Sequence, residues 1–343
     1  MSSPTSIHAF ATPPHQTNAP LITSRRGQFW IAGERLKSEF GTVQRAPMFV
    51  AWEAPENVTQ PYPLILIHGG GGQGTDWTGT VDGRPGWATR FVEAGFAVYV
   101  VDRAGHGRSP YHPDVVGPMG APFPYEVAKG LFLSDDAAQA QTQWTYGREI
   151  GDDDLDQLVS AMGPLPADLG DSEAMDADRL GKLLDRTGPA IIVSHSAGGP
   201  VGWLTADARP GLVKGIAAVE PVGPAFAELP GMGTLAWGLT AAPMTFEPPL
   251  ATSDDVRNAD PATLRIPSLR KMPIAVFTGA TSGFSTFAPD VVRSLNAASA
   301  EAEWIHLPDL GINGNGHGLI FEANSDETVK PVIEWITTHW PNS

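Results

Sequence analysis

The chain has no cysteine, which rules out disulfides, thiolate metal sites and a cysteine nucleophile and leaves the redox compartment open. It also has no run of the ~20 apolar residues that a bilayer-spanning helix needs. Residues Met1 to Ser24 are rich in Ser, Thr and Pro and lack a basic stretch followed by an apolar one, so as written they do not read as a signal peptide. Basic residues are scarce: 22 Lys and Arg stand against 38 Asp and Glu, for a net charge of −16. A surface so acidic serves solubility first. It repels phosphate backbones and anionic headgroups, so neither nucleic acid nor a membrane is an expected partner. A neutral or cationic small molecule is easier to accept. These features predict a soluble protein, cytoplasmic as written, with secretion and homodimerisation left open.

What is present suits a folded enzyme. Hydrophobic residues make up 42% of the 343 and charged residues 17%, enough apolar side chains for a large core. Only residues 1–25 read as a flexible segment, and 26–343 read as one domain. Short runs at 29–33 and 46–52 read as an opening hairpin. The run Pro63–His68 is nearly all apolar, as in a strand buried on both faces of a parallel sheet. Further strands are expected at 96–102, 189–194, 213–219, 272–278 and 303–307. Helices are expected at 85–94, 153–162, 173–187, 197–208, 288–300 and 328–339. This alternation predicts a doubly wound, mostly parallel α/β sheet. Stretches at about 110–150 and 222–270 fit no strand–helix unit and read as insertions, the second as a lid.

The chemistry concentrates where strands end. Ser194-His195-Ser196-Ala197-Gly198-Gly199 lies between an apolar strand and a helix. A nucleophile elbow needs that context, because small neighbours let the backbones pass closely around a strained serine. Ser194 stands where the usual pattern has its first glycine. A serine hydroxyl needs a base, and of nine histidines only His317 sits in a Gly-rich loop after the final strand and before the last helix. The acid that orients such a histidine usually follows the strand at 272–278, but Gly279-Ala280-Thr281-Ser282-Gly283 has no carboxylate and the next one is Asp290. Glu220, at the carboxyl end of the preceding strand, keeps the order Ser, Glu, His and is the expected acid. The oxyanion of an acyl intermediate needs backbone N–H donors. Ala197 is expected to supply one and the run His68-Gly69-Gly70-Gly71-Gly72 the other, from Gly70 or Gly71. That run lacks the Lys-Ser or Lys-Thr of a Walker loop, so it is not read as a phosphate cradle. Asp102 and Arg103 are expected to pin the turn 103–109, with His106 structural.

His68-Gly69-Gly70, Asp102 through Ser109, the Ser196 elbow and Gly316-His317 together resemble the α/β-hydrolase superfamily over nearly all of 60–340. Leu66-Ile67-His68-Gly69-Gly70-Gly71 with Thr75-Asp76-Trp77, Asp82 through Trp87, Val219-Glu220-Pro221 and Asn315-Gly316-His317 are similar to a small branch of bacterial carboxylesterases, typified by an Alcaligenes esterase. That resemblance implies a glutamate acid and a lid between the sixth and seventh strands. The typifying esterase has adjacent cysteines where Gly70 and Gly71 stand, so its loop rigidity and substrate preference do not carry over. The expectation is a serine hydrolase of carboxylic esters, with no cofactor and no metal. Alternatives are the same triad acting on an amide, lactone or carbon–carbon bond, and a non-catalytic small-molecule binding protein of this fold. Within 222–270, Phe226, Met232, Leu235, Leu239 and especially Trp237, Met244 and Phe246 are candidates for a substrate pocket.

Overall fold

The computed structural model describes residues 22–133 and 137–342. Most of the expected flexible segment lies outside them, and its last two residues, Ser24 and Arg25, already belong to a strand. Eight strands form one sheet: β1 (Ser24–Ile31), β2 (Met48–Pro55), β3 (Leu64–Ile67), β4 (Val98–Asp102), β5 (Ala190–His195), β6 (Val213–Val219), β7 (Pro273–Thr278) and β8 (Glu301–His306). Their spatial order is β1-β2-β4-β3-β5-β6-β7-β8. The pairs β1–β2 and β2–β4 are antiparallel. From β4 to β8 every pairing is parallel. The opening strands pair as expected, but the exposed hairpin Glu34–Ser38 and Gly41–Arg45 interrupts them. Its charged, alternating sequence has no buried face to betray it as strand.

Helices α1 (Trp87–Glu93), α2 (Leu169–Thr187), α3 (Gly198–Ala208), α4 (Ala288–Ala297) and α5 (Ser325–His339) cover the sheet. The two-residue period of a strand sorts its side chains between the two layers. Ile65, Ile67, Ile192, Ile216 and Ile274 face a core shared with α2, α3 and α4. Leu64, Leu66, Ile191, Val193 and Phe277 face the core under α1 and α5. Helix α2 starts four residues earlier than expected because Asp168 caps it, accepting from Asp171 N at 2.8 Å. Such a cap is worth about 1 kcal/mol.

The turn after β4 is locked from both sides. The Asp102 carboxylate accepts from Gly74 N, Arg108 N and Arg108 Nε, each at 2.7 Å. Arg103 forms a fully buried ion pair with Asp176 of α2 at 2.7 Å. Removing one partner of such a pair typically costs 3–5 kcal/mol, because it strands a buried charge. His106 lies buried in the turn, its ring 5.2 Å from that of His68. His68 Nε2 accepts from Arg103 N at 2.9 Å, so both rings brace the loops beneath the site.

Candidate active site

Strand β5 delivers Ser196 to a turn where its φ is +52°. That left-handed conformation costs a non-glycine residue of the order of 1–3 kcal/mol and persists only where its surroundings over-determine it. Here Ser196 N donates to Val219 O at 3.0 Å, and Gly199 N donates to Ser196 O at 2.9 Å. A Cβ at Gly198 would lie 2.8 Å from the His68 carbonyl oxygen, and one at Gly199 would lie 2.7 Å from the Pro221 side chain. Both glycines are therefore required by close backbone passage. Ser194, in the place of the usual first glycine, is completely buried.

His317 Nε2 lies 3.0 Å from Ser196 Oγ. Burial holds the imidazole down, to about 3, so the ring is neutral and one nitrogen can accept. Glu220 Oε2 lies 3.6 Å from Nδ1, which favours the proton on Nδ1 and leaves Nε2 to accept from Ser196. The His–Glu separation exceeds a hydrogen bond; catalytic contacts of this kind commonly tighten only once substrate is bound.

Glu220 itself has φ +50° and no exposed surface. Its N–H donates to Phe277 O at 2.8 Å. Burial pushes its carboxyl up, to about 8, against the pull of donors from Ser282 and Gly279. Gly279 N donates to Oε1 at 2.6 Å and Ser282 Oγ donates to Oε2 at 2.5 Å. The loop after β7, which has no acid of its own, thus supplies donors to the acid on β6. Asp290 stands in the first turn of α4, in a largely exposed pair with Arg293 at 2.6 Å.

The glycine run lies against the elbow. A Cβ at Gly69 would sit 3.0 Å from Ser196 Cβ, and one at Gly70 would sit 3.3 Å from Ala197 Cβ. Gly71, at φ +72°, turns toward Phe123 and accepts from Gly163 N at 2.7 Å. Of the two candidates, Gly70 is the one brought beside Ala197.

A family model for the alpha/beta hydrolase fold matches residues 62–261. The chain belongs to the α/β-hydrolase family. "Probable secreted lipase phiG" from Fungal sp. (strain ATCC 74256) is 36% identical over 332 residues, covering 89% of this chain and 90% of that protein. A solved bacterial esterase has a TM-score of 0.67 and 24% identity, covering 94% of this chain and 98% of that one. The second likeness bears on the fold alone.

This α/β hydrolase departs from the sequence reading at its expected pocket. Met244 and Phe246 are buried in the large core on the α3 side of the sheet, and Trp237 packs against that core. The side chains clustered with Ala197 come from earlier in the same segment: Val222 and Leu235 are buried, with Met232 packed against them and Phe284 joining from the loop after β7. Apolar composition alone does not reveal which part of a long connection folds down beside the sheet and which part stays above the site.

Three supporting residues escaped the sequence reading. Ser282 holds Glu220, as described. His195 Nε2 donates to the His317 carbonyl at 2.9 Å, and the two rings lie 4.7 Å apart. Glu322 is fully buried; it accepts from Gly316 N at 3.0 Å, Gln141 Nε2 at 2.9 Å and Asn315 Nδ2 at 2.8 Å. It therefore fixes the main chain that carries His317. A Cβ at Gly316 would meet Gln141 Nε2 at 2.4 Å, so any other residue there displaces the Gln141 amide from Glu322. The available signal was an acid set inside the apolar run Gly318-Leu319-Ile320-Phe321-Glu322, since an unpaired charge is rarely buried.

Proposed function

We propose that this chain is a serine hydrolase that cleaves a carboxylic ester through an acyl-enzyme intermediate on Ser196. The observation that carries the reading is the 3.0 Å approach of a buried, neutral His317 to a serine held on a left-handed elbow. Ser196 Oγ attacks the ester carbonyl as Nε2 of His317 takes its proton. Glu220 orients the ring and, in its ionised form, offsets the charge that develops on it. The N–H groups of Ala197 and Gly70 hold the oxyanion, with Gly71 as the alternative second donor. The ester C–O bond breaks, His317 returns the proton to the leaving oxygen, and a water activated by the same histidine releases the acid.

The name of the fungal relative supports a lipase or esterase within this class. That relative is named as secreted, so the comparisons lend no support to the cytoplasmic expectation. Among the described residues no helix is long and apolar enough to cross a membrane. A fluorophosphonate probe tests the reading: it is expected to attach to Ser196 in folded protein and to leave the Ser196→Ala variant unlabelled. Absence of an adduct in wild type favours the non-catalytic binding protein. A panel of ester, amide and lactone substrates then separates ester cleavage from the other reactions of the same triad.

A further inference from the structure

With no cysteine in the chain, all of its sulfur is thioether, on eight methionines. Met1 lies outside the described residues. Met48, Met175, Met244 and Met272 are buried. Met119, Met162 and Met232 are only half-buried, and all three border the glycine run beside the Ser196 elbow. Met119 and Met162 line a cavity of about 380 Å3 together with Gly71 and Gly72. Met232 is the one that meets Gly70: its methyl carbon lies 3.2 Å from where a Cβ on that glycine would stand. The same side chain packs against Ala197, Val222 and Leu235.

A tight turn sets Met232 in that place. Glu228–Leu229 pairs with Gly233–Thr234, and between them Met232 N donates to Leu229 O at 3.0 Å. Pro230 fixes the second position of the turn, and Gly231 supplies, at φ +74°, the positive φ that a type II turn needs at the third. Pro230, Gly231 and Gly233 are exposed. The hairpin lines an open surface groove of about 500 Å3, with Met232 among its walls. The thioether that touches Gly70 is therefore also within reach of small solutes from solvent.

Resting on the ester-hydrolase reading above, we propose that Met232 is an oxidation site through which hydrogen peroxide slows the enzyme by disturbing Gly70. A sulfur lone pair attacks one peroxide oxygen, the S–O bond forms and the O–O bond breaks. The proton on the transferred oxygen passes to the departing hydroxide, so the products are methionine sulfoxide and water; sulfur loses the two electrons that peroxide gains. Oxidation turns a flexible apolar side chain into a polar one. A sulfoxide oxygen with no donor is costly inside an apolar cluster, so the side chain leaves Ala197 and Gly70. The Gly70 N–H then loses the packing that holds it toward the oxyanion.

The test treats folded wild type with dilute hydrogen peroxide and follows two quantities in the same samples: oxygen gained at each methionine, by peptide mass spectrometry, and kcat on p-nitrophenyl butyrate. Met119, Met162 and Met232 are expected to oxidise before the four buried methionines, and activity to fall in step with Met232 alone. The expected fall is about 10–100-fold in kcat, short of the ~10²–10³ that outright loss of one oxyanion donor costs. Methionine sulfoxide reductase is expected to restore the rate. Each variant is compared with its own untreated sample: Met232→Leu keeps its activity through the treatment, whereas Met119→Leu and Met162→Leu lose theirs as wild type does. Full activity in protein whose Met232 is oxidised overturns the proposal, as does a loss that follows another methionine or is equal in Met232→Leu. The wild-type correlation needs no variant to fold. If untreated wild type neither takes up fluorophosphonate at Ser196 nor hydrolyses an ester, the ester-hydrolase reading itself fails; labelling and turnover that peroxide leaves untouched removes only the oxidation site.

Discussion

The ends of β5 and β6 and the chain between β6 and β7 place their side chains by different means. Ser196 and Glu220 each follow a central parallel strand and each adopt positive φ. Their positions are inherited from the ladder, in which His195 pairs with Val219 and Val219 with Phe277. Residues 222–270 contribute no strand to that sheet; their own pairing is limited to Glu228–Leu229 with Gly233–Thr234 and a bridge between Glu247 and Arg265. They are held by packing and by isolated anchors, such as Glu173 of α2 accepting from Ala241 N at 2.7 Å and Ala242 N at 3.0 Å. The strand ends place their side chains through the backbone and the segment 222–270 through side-chain packing, so substitutions in the two regions are expected to have different consequences.

The largest effects belong to the strand ends and the histidine loop. Ser196→Ala and His317→Ala are each expected to lower kcat by about 10⁴–10⁶ with the fold intact, because the pair acts as one unit. A variant that keeps a tenth of the activity removes it from the mechanism. Glu220→Gln comes next, at about 10³–10⁴ in kcat, since an amide cannot balance the imidazolium and invites the wrong tautomer. Asp290→Asn, on the surface of α4, is expected to leave kcat within twofold. Equal damage from the two substitutions transfers the role of acid to Asp290.

Glu322→Gln tests whether the ladder alone suffices to place the histidine. It keeps the shape of the side chain but replaces an acceptor oxygen with a donor among Gly316, Asn315 and Gln141, so the His317 loop loosens. The expected result is a kcat lower by about 10–100-fold with KM nearly unchanged, the signature of an interaction made in the transition state. A rise in KM at constant kcat assigns Glu322 to substrate binding instead.

In the packed segment the comparison becomes a contrast within one loop. Phe246→Ala is expected to cost about 3–5 kcal/mol of stability, as core truncations do, the half-buried Trp237→Ala less, and both to leave the relative rates on short and long acyl chains unchanged. Met232→Ala and Leu235→Ala are expected to shift that selectivity by about 1–3 kcal/mol per methylene recognised. Thermal unfolding and an acyl-chain series together decide it; a selectivity change in Phe246→Ala returns the pocket to the later part of the segment.

The smallest effect is a pH dependence of stability. Burial lowers His106 to about 4 and His195 and His317 to about 3. Their ordinary value is 6.5, so the unfolded chain binds the extra protons and stability falls as pH drops below about 6.5. Burial raises Glu173 and Glu322 to about 7 and Glu220 to about 8, from 4.5. These groups contribute fully below about 4.5 and lose that contribution as pH rises through 7–8. The two slopes oppose each other between about 4.5 and 6.5, where Tm is expected to be highest. A Tm that keeps rising from pH 6 to pH 8 contradicts this balance.

Strand and helix order, the turn that carries Ser196, the loop that carries His317 and the place of Glu220 at a strand end were legible in the sequence because each depends on local chemistry. Continuous apolar runs mark buried parallel strands, and small residues mark close backbone passage. The hairpin at 34–45 was not legible, since neither of its faces is buried. Nor was the support given by His195, Ser282 and Glu322, which consists of hydrogen bonds between segments far apart in the chain. The division of residues 222–270 between core and site was equally hidden, because both destinations reward the same apolar side chains. The sequence by itself determined which residue types stand at which strand ends. Only the tertiary structure decided which side chains meet there, because burial and hydrogen-bond partners depend on how distant segments converge in space.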